Sequence, residues 1–277
     1  MKVAKFLILT MLVLSLASPA FAGGPFGVDK RKVIIEGSTT VLPIAQAAAE
    51  TFMRQNPDTD ITVRGGGSGV GIASLVDKNC DIADASRAIK EAELEKAVGN
   101  GVSPKAHVVA MDGICIIVNS ANSLSALSRG QVKDIFTGKN SYWSDLGGKT
   151  EKIVVISRDT SSGTFEAFGE LVMKGAKVRP DALMQASNQA VASTVSRTPG
   201  AIGYVGLGYV TGEVKALEID GVMPSKETVL TNKYPIARPL FMYTNGAPDG
   251  TVRDFLDFVK SSEGQKIADE QGFVALK

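Results

Sequence analysis

The stretch Val33-Ile34-Ile35-Glu36-Gly37-Ser38-Thr39-Thr40-Val41-Leu42-Pro43 changes its period halfway along. Its β-branched start, stopping at Gly37, reads as a short strand. From Leu42 the small and apolar residues Leu42, Ala45, Ala49 and Phe52 fall on one helical face, and Asn56-Pro57-Asp58 ends that run. A strand that passes through Gly-Ser-Thr-Thr into a helix opens a βαβ unit. The same order recurs at once. Ile61-Thr62-Val63 is a strand, Gly65-Gly66-Gly67-Ser68-Gly69 a turn and Ile72 to Val76 a helix; Ile82-Ala83-Asp84-Ala85 and Glu91 to Val98 follow as strand and helix.

Beyond the apolar strand Gly113-Ile114-Cys115-Ile116-Ile117-Val118 the pattern restarts. Arg129 to Phe136 is helical, Ile153 to Ile156 a strand, Thr164 to Met173 a helix and Gln189 to Ser196 a shorter helix. Gly200 to Val205 is a glycine-flanked strand, Ser225 to Pro235 is polar and punctuated by prolines, and Pro239 to Thr244 is a last strand before a terminal helix, Val252 to Lys260. Strands separated by helical stretches imply parallel pairing, so the class is α/β.

Composition narrows the chemistry. The chain has 277 residues, 44% of them hydrophobic, which excludes a disordered chain. Thirty basic residues against 29 acidic ones give no electrostatic case for a nucleic-acid partner. With one histidine and two cysteines no ordinary zinc site can be assembled, and neither a metal nor a cofactor is expected. Aromatic residues, at 6%, are too few for a stacking platform.

Residues 1–22 read as a signal peptide. Lys2 and Lys5 form a positive start, Phe6 to Leu16 an apolar run, and Pro19-Ala20-Phe21-Ala22 a small-x-small cleavage site after Ala22. The run is shorter than the roughly 20 apolar residues of a membrane span. No cysteine follows the cleavage site to take a lipid, so a periplasmic location is expected. Cys80 and Cys115 would then meet an oxidising compartment, where either a disulfide or two packed thiols fits the sequence.

Three strand-to-helix junctions carry the candidate chemistry: Gly37-Ser38-Thr39-Thr40, Gly65 to Gly69, and Arg158-Asp159-Thr160-Ser161-Ser162-Gly163-Thr164. Helix starts offer free N–H donors and a positive dipole end, glycine admits close approach, and hydroxyls add neutral donors. Ser and Thr are also ordinary helix caps, so no single junction decides. Three of them, with Arg158 four residues before Ser162, point to an oxyanion held without metal. Arg87, in Ala85-Ser86-Arg87, is a second candidate cation at a strand end. Motifs for other chemistries break down. Gly148-Lys149-Thr150 lacks the first P-loop glycine because Trp143 stands there, and Val70 occupies the third glycine of a dinucleotide fingerprint. Val70 and Thr160 break the nucleophile-elbow pattern around Ser68 and Ser162, and His107 lies in a strand with no triad context.

At these junctions the chain resembles the periplasmic phosphate-binding proteins of ABC phosphate importers, the PstS-like family. The resemblance rests on Gly37-Ser38-Thr39-Thr40-Val41-Leu42-Pro43, Gly66-Gly67-Ser68-Gly69, Asp81 to Arg87, Arg158 with Ser162-Gly163-Thr164, and Gly200-Ala201-Ile202-Gly203-Tyr204, and extends from Val33 to about Phe273. It implies a two-lobed periplasmic-binding-protein fold (type II-like) with the ligand in the interlobe cleft. Lobe 1 would hold 23–113 plus 238–277, and lobe 2 would hold 114–237. The implied phosphate ligands are Thr39, Thr40, Ser68, Ser86, Arg87, Arg158, Ser162, Gly163 and Thr164. Where some relatives place a carboxylate after the third strand, this chain has Ser86-Arg87, with Asp84 the nearest acid. Ser86 and Arg87 are placed in the shell, and Asp84 is left open.

The implied function is capture of inorganic phosphate by a monomer that closes on it and delivers it to a membrane ABC importer permease, with no catalysis. Rival readings are a binding protein for sulfate, molybdate, tungstate or a phosphorylated metabolite, a secreted phosphatase using serine, and an extracellular adhesive protein.

Overall fold

The computed structural model describes residues 31–276, so the leader and its cleavage site lie outside the described residues. In chain order the first elements are β1 (Arg31–Gly37), α1 (Leu42–Gln55), β2 (Thr59–Gly65), α2 (Ser68–Val76), β3 (Ile82–Ala85), α3 (Glu91–Gly99) and β4 (Pro104–Asn119). Then come β5 (Ala126–Leu127), α4 (Arg129–Phe136), β6 (Val154–Arg158), α5 (Gly163–Phe168), β7 (Leu183–Gln185), α6 (Asn188–Arg197) and β8 (Ala201–Gly206). The last are β9 (Val214–Ala216), β10 (Glu218–Ile219), α7 (Lys226–Leu230), β11 (Ala237–Asn245), α8 (Gly250–Lys260) and α9 (Ser262–Glu270).

The main sheet runs β2-β1-β3-β11-β4-β8-β6-β7, with β9 also on β4. Parallel pairing holds where βαβ units were expected: β1 with β2 and β3, and β6 with β7 and β8. The alternation of β1 puts Val33 and Ile35 into a core beneath α1 and α8, where Phe52 and Phe255 meet edge to face at 5.6 Å. Beyond β4 a second core gathers Phe136, Phe168 and Tyr204, the last two stacked 4.1 Å apart.

Two antiparallel strands join these halves. β11 lies between β3 and β4, and β4 is long enough to serve both sides. It pairs with β11 through Gly113 and with β8 from Ile114 onward. At the change of partner a Cβ on Gly113 would come within 2.8 Å of Val229, so only glycine lets α7 pack there. The fold is α/β with two lobes.

Two helices depart from the sequence reading. The polar, proline-punctuated stretch Ser225 to Pro235, to which the sequence assigns no element, contains α7, whose Val229 is buried and whose start is capped by the Ser225 hydroxyl accepting from Thr228 N at 3.1 Å. The expected terminal helix is followed by α9. Ser261 is the cap residue of both, and Gly264 sits where a Cβ would fall 2.2 Å from the Phe258 carbonyl. The second helix lies beyond the last element read from the sequence, and its Gly264 permits the close crossing with α8. Cys80 and Cys115 are unbonded thiols in separate core clusters.

Asp84 lies inside β3, opposite Gly37 and Met242. Its neighbours Ala83 and Ala85 belong to the core with Ile72 and Leu75, so alternation turns Asp84 to the other face. It is buried, and its Oδ1 has no hydrogen-bond partner. Burial pushes its carboxyl well above the usual range. The folded state therefore retains a proton that the unfolded chain gives up near pH 3.9, so stability falls as pH rises above about that value. Asp84→Asn removes this loss. Its melting temperature relative to wild type should climb as pH rises above about 4 and level off once the folded-state carboxyl itself ionises; a pH-independent difference would mean the carboxyl is satisfied.

Candidate functional site

The carboxyl ends of β1, β2 and β3 face those of β6, β7 and β8, and the glycine- and hydroxyl-rich junctions leave from these ends. The facing turns touch. Gly69 N donates to the Ser161 carbonyl at 2.9 Å, and Ser161 Oγ donates to the Gly66 carbonyl at 3.2 Å. Gly67 makes this approach possible: its φ is +98°, and a Cβ there would lie 2.7 Å from Ser161 O.

Seven of the nine residues expected from sequence converge here. Thr40 and Thr164 hydroxyls are 3.0 Å apart. The Ser68 and Ser86 hydroxyls are 3.3 Å apart, with Ser86 N donating to Ser68 Oγ. Gly163 lies against both serines. Thr39 is reached through Asn188, whose Nδ2 donates to Thr39 Oγ1 at 3.1 Å and to Thr40 Oγ1 at 3.0 Å. Arg158, at the end of β6, is 1% exposed. Its Nε and Nη2 donate to the carbonyls of Gln185 and Ala186, at 3.0 and 3.1 Å, in the loop that leads to Asn188. These bonds fix the guanidinium plane and leave Nη1 buried without a partner. Burial lowers the Arg158 pKa, only partly countered by Asp159, whose carboxylate stays 3.8 Å away.

Of the other two, Ser162 accepts from Phe165 N at 3.2 Å as the cap of α5, which uses a lone pair and leaves its own proton free to donate. Arg87, expected to point inward, instead grips Glu93 through two hydrogen bonds of 2.8 and 2.7 Å and faces Glu166 with its Nε edge. Two carboxylates outside the cleft outbid a site with no fixed anion of its own. Asp84 stays in the body of β3, and His107 sits on β4 with Nε2 2.9 Å from Thr244 Oγ1.

Sequence reasoning missed the centre of the network. Arg238 Nη2 donates to Thr164 Oγ1 at 3.0 Å, to Thr40 Oγ1 at 3.3 Å and to Asp112 Oδ2 at 2.9 Å. Arg238 Nε also bonds that Asp112 oxygen, Nη1 donates to Ser86 O, and Asp112 Oδ1 accepts from Leu207 N. A signal existed: Asp112 and Arg238 each border an apolar strand, and such charges require partners. Asn188 gave none, since Ser187-Asn188 reads as an ordinary helix cap.

Residues 24–263 match a family model described as a PBP superfamily domain. The phosphate-binding protein PstS of Bacillus subtilis is 38% identical over 245 residues, covering 87% of this chain and 79% of that protein. The chain belongs to the PstS family of the PBP superfamily. PstS of Borreliella burgdorferi is 34% identical, with 90% of this chain and 92% of that one covered. A solved phosphate ABC transporter substrate-binding protein of Clostridium perfringens, with phosphate bound, superposes with a TM-score of 0.84 at 34% identity, covering 89% of this chain and 100% of that one. The PstS relatives are phosphate-binding proteins by name and the Clostridium perfringens protein a substrate-binding protein by name, and no described helix of this chain is long and apolar enough to cross a membrane.

Gly163 supplies a geometric test. A Cβ there would stand 2.2 Å from Ser68 Oγ and 2.8 Å from Ser86 Oγ. Gly163→Ala is expected to keep the facing strand ends apart, read by small-angle scattering as a larger radius of gyration than wild type under saturating phosphate. An equal radius would show that the serines can turn aside.

Proposed function

We propose that this chain is an extracytoplasmic solute-binding protein that captures inorganic phosphate by closure of two lobes and delivers it to a membrane ABC importer permease. The lobes are 23–113 with 238–277, and 114–237; the change of partner along β4 at Gly113 supports that boundary. The observation that carries the reading is Arg158: a buried guanidinium, immobilised by two carbonyls, with one free donor at the closing face. Such a group calls for an anion. The names of the PstS relatives and the phosphate in the Clostridium perfringens structure support inorganic phosphate as that anion.

The other donors at these strand ends are neutral. The hydroxyls of Thr39, Thr40, Ser68, Ser86 and Thr164 can each rotate to give a proton to phosphate oxygen, and Gly163 lets the α5 turn approach without a side chain in the way. Arg238 backs the threonines, and Asp112 neutralises its charge. Closure is stabilised only by contacts that need both lobes, so ligand and closed state are coupled. The sequence contains a single histidine, His107, and it is bonded to Thr244, so the serines and threonines have no imidazole base. Capture is taken in this reading to be reversible, without chemistry and by a monomer. Export rests on the leader, and the mature chain purified from the extracytoplasmic fraction should begin at Gly23 by N-terminal sequencing; a start at Met1 would overturn cleavage after Ala22, and absence of the chain from that fraction would overturn export.

Arg158→Ala should weaken phosphate binding a hundredfold or more, roughly what removing one partner of a buried charge-assisted contact costs, when the ligand-stripped protein is titrated calorimetrically. Unchanged affinity would remove Arg158 from the site. Binding of sulfate, molybdate or tungstate in preference to phosphate would replace the ligand and keep the fold.

A further inference from the structure

Arg87 and Lys90 lie just beyond β3, and Glu166 lies in the first turn of α5 on the other side of the cleft. Glu166 Oε2 is in charge contact with Arg87 Nε and stands 3.0 Å from Lys90 Nζ. The Arg87 and Glu166 side chains are 7% and 13% exposed, so little solvent reaches the pair. Arg87 is already neutralised within its own segment, because both its Nη atoms bond Glu93, the third residue of α3. Glu166 is therefore not needed to compensate Arg87. It adds a contact that exists only while the α5 end meets the β3 end, and it reaches neither the paired threonines nor the paired serines of the site.

We propose that Glu166 is a positioning residue for ligand retention: its ion pair with Arg87 and Lys90 latches the closed cleft and slows phosphate release without contacting phosphate. The proposal rests on the functional reading above. A contact present in one of two states shifts their balance by its own differential strength. Because opening must break the latch and association begins from the open form, its effect falls on dissociation. α5 also carries Gly163 and Thr164, so a pull on Glu166 seats those residues against Ser68 and Thr40.

The test is stopped-flow phosphate binding to the full mature chain. Glu166→Gln keeps the shape and removes the charge, and it is expected to raise the dissociation rate about tenfold, with the association rate and the melting temperature of the phosphate-free protein unchanged. In an Arg87→Gln/Lys90→Gln background the same change should have no further effect on dissociation, because its partners are gone. An unaltered dissociation rate in Glu166→Gln, or an undiminished effect in that background, would overturn the latch while leaving phosphate capture intact. Failure of the wild-type chain to bind phosphate would instead overturn the functional reading and the latch with it.

Discussion

Arg238 and Asp112 meet at the one register position where the two linking strands must hold a guanidinium and a carboxylate out of water. Burial works against both charges, pushing Asp112 up and Arg238 down, and each partner opposes that drift in the other. Such a pair adds little net stability compared with apolar packing, but losing either member would strand a buried charge at a cost of about 3–5 kcal/mol. The pair is therefore locked. Locking it fixes β11 against β4, and the guanidinium's remaining donors then fix Ser86 O, Thr40 and Thr164. The free oxygen of Asp112 holds Leu207, just beyond β8. One ion pair thus references the ends of β1, β3, β8 and the α5 turn to a common point.

Arg158 is held in a second way, from below. Tyr204 is stacked on Phe168 in the core, and its hydroxyl accepts from Arg158 N at 3.2 Å and lies 2.9 Å from Ser157 Oγ. The backbone that launches the cation is thereby tied to an aromatic stack, while the side chain is tied to the β7–α6 loop. Neither anchor uses a counter-ion. That is why Arg158 retains a free donor when Arg238, gripped by a carboxylate, does not.

What the sequence revealed follows from the range of the interactions. Thr39, Thr40, Ser68, Gly163 and Thr164 were legible because each belongs to a local strand-to-helix turn whose chemistry is written in consecutive residues. Arg158 was legible by its spacing to such a turn. Arg87 sat at an equivalent strand end and looked the same, but its fate depended on Glu93 and on Glu166, the latter distant in sequence. Arg238 and Asp112 are likewise distant from one another, and only strand pairing brings them together. The fold shows the same division: periodic segments such as α1 and α4 were readable, whereas α9 lay beyond the last element read, its close crossing with α8 permitted by Gly264.

The charge balance explains how such a site can hold an anion firmly and still let it go. Three arginines border the cleft, yet Asp112 cancels Arg238 and Glu93 with Glu166 outweighs Arg87. Arg158 is the least compensated, its nearest carboxylate, Asp159, standing 3.8 Å away. A divalent oxyanion would thus meet about one uncompensated positive charge, with the rest of its desolvation made good by hydroxyl and amide dipoles that are aligned only when the lobes meet. Neutral donors lose their alignment as soon as the lobes part, whereas a second free arginine would follow the anion into the open state and hold it there. Arg87, bonded to Glu93 and in contact with Glu166 across the cleft, directs its charge to the meeting of the two strand ends.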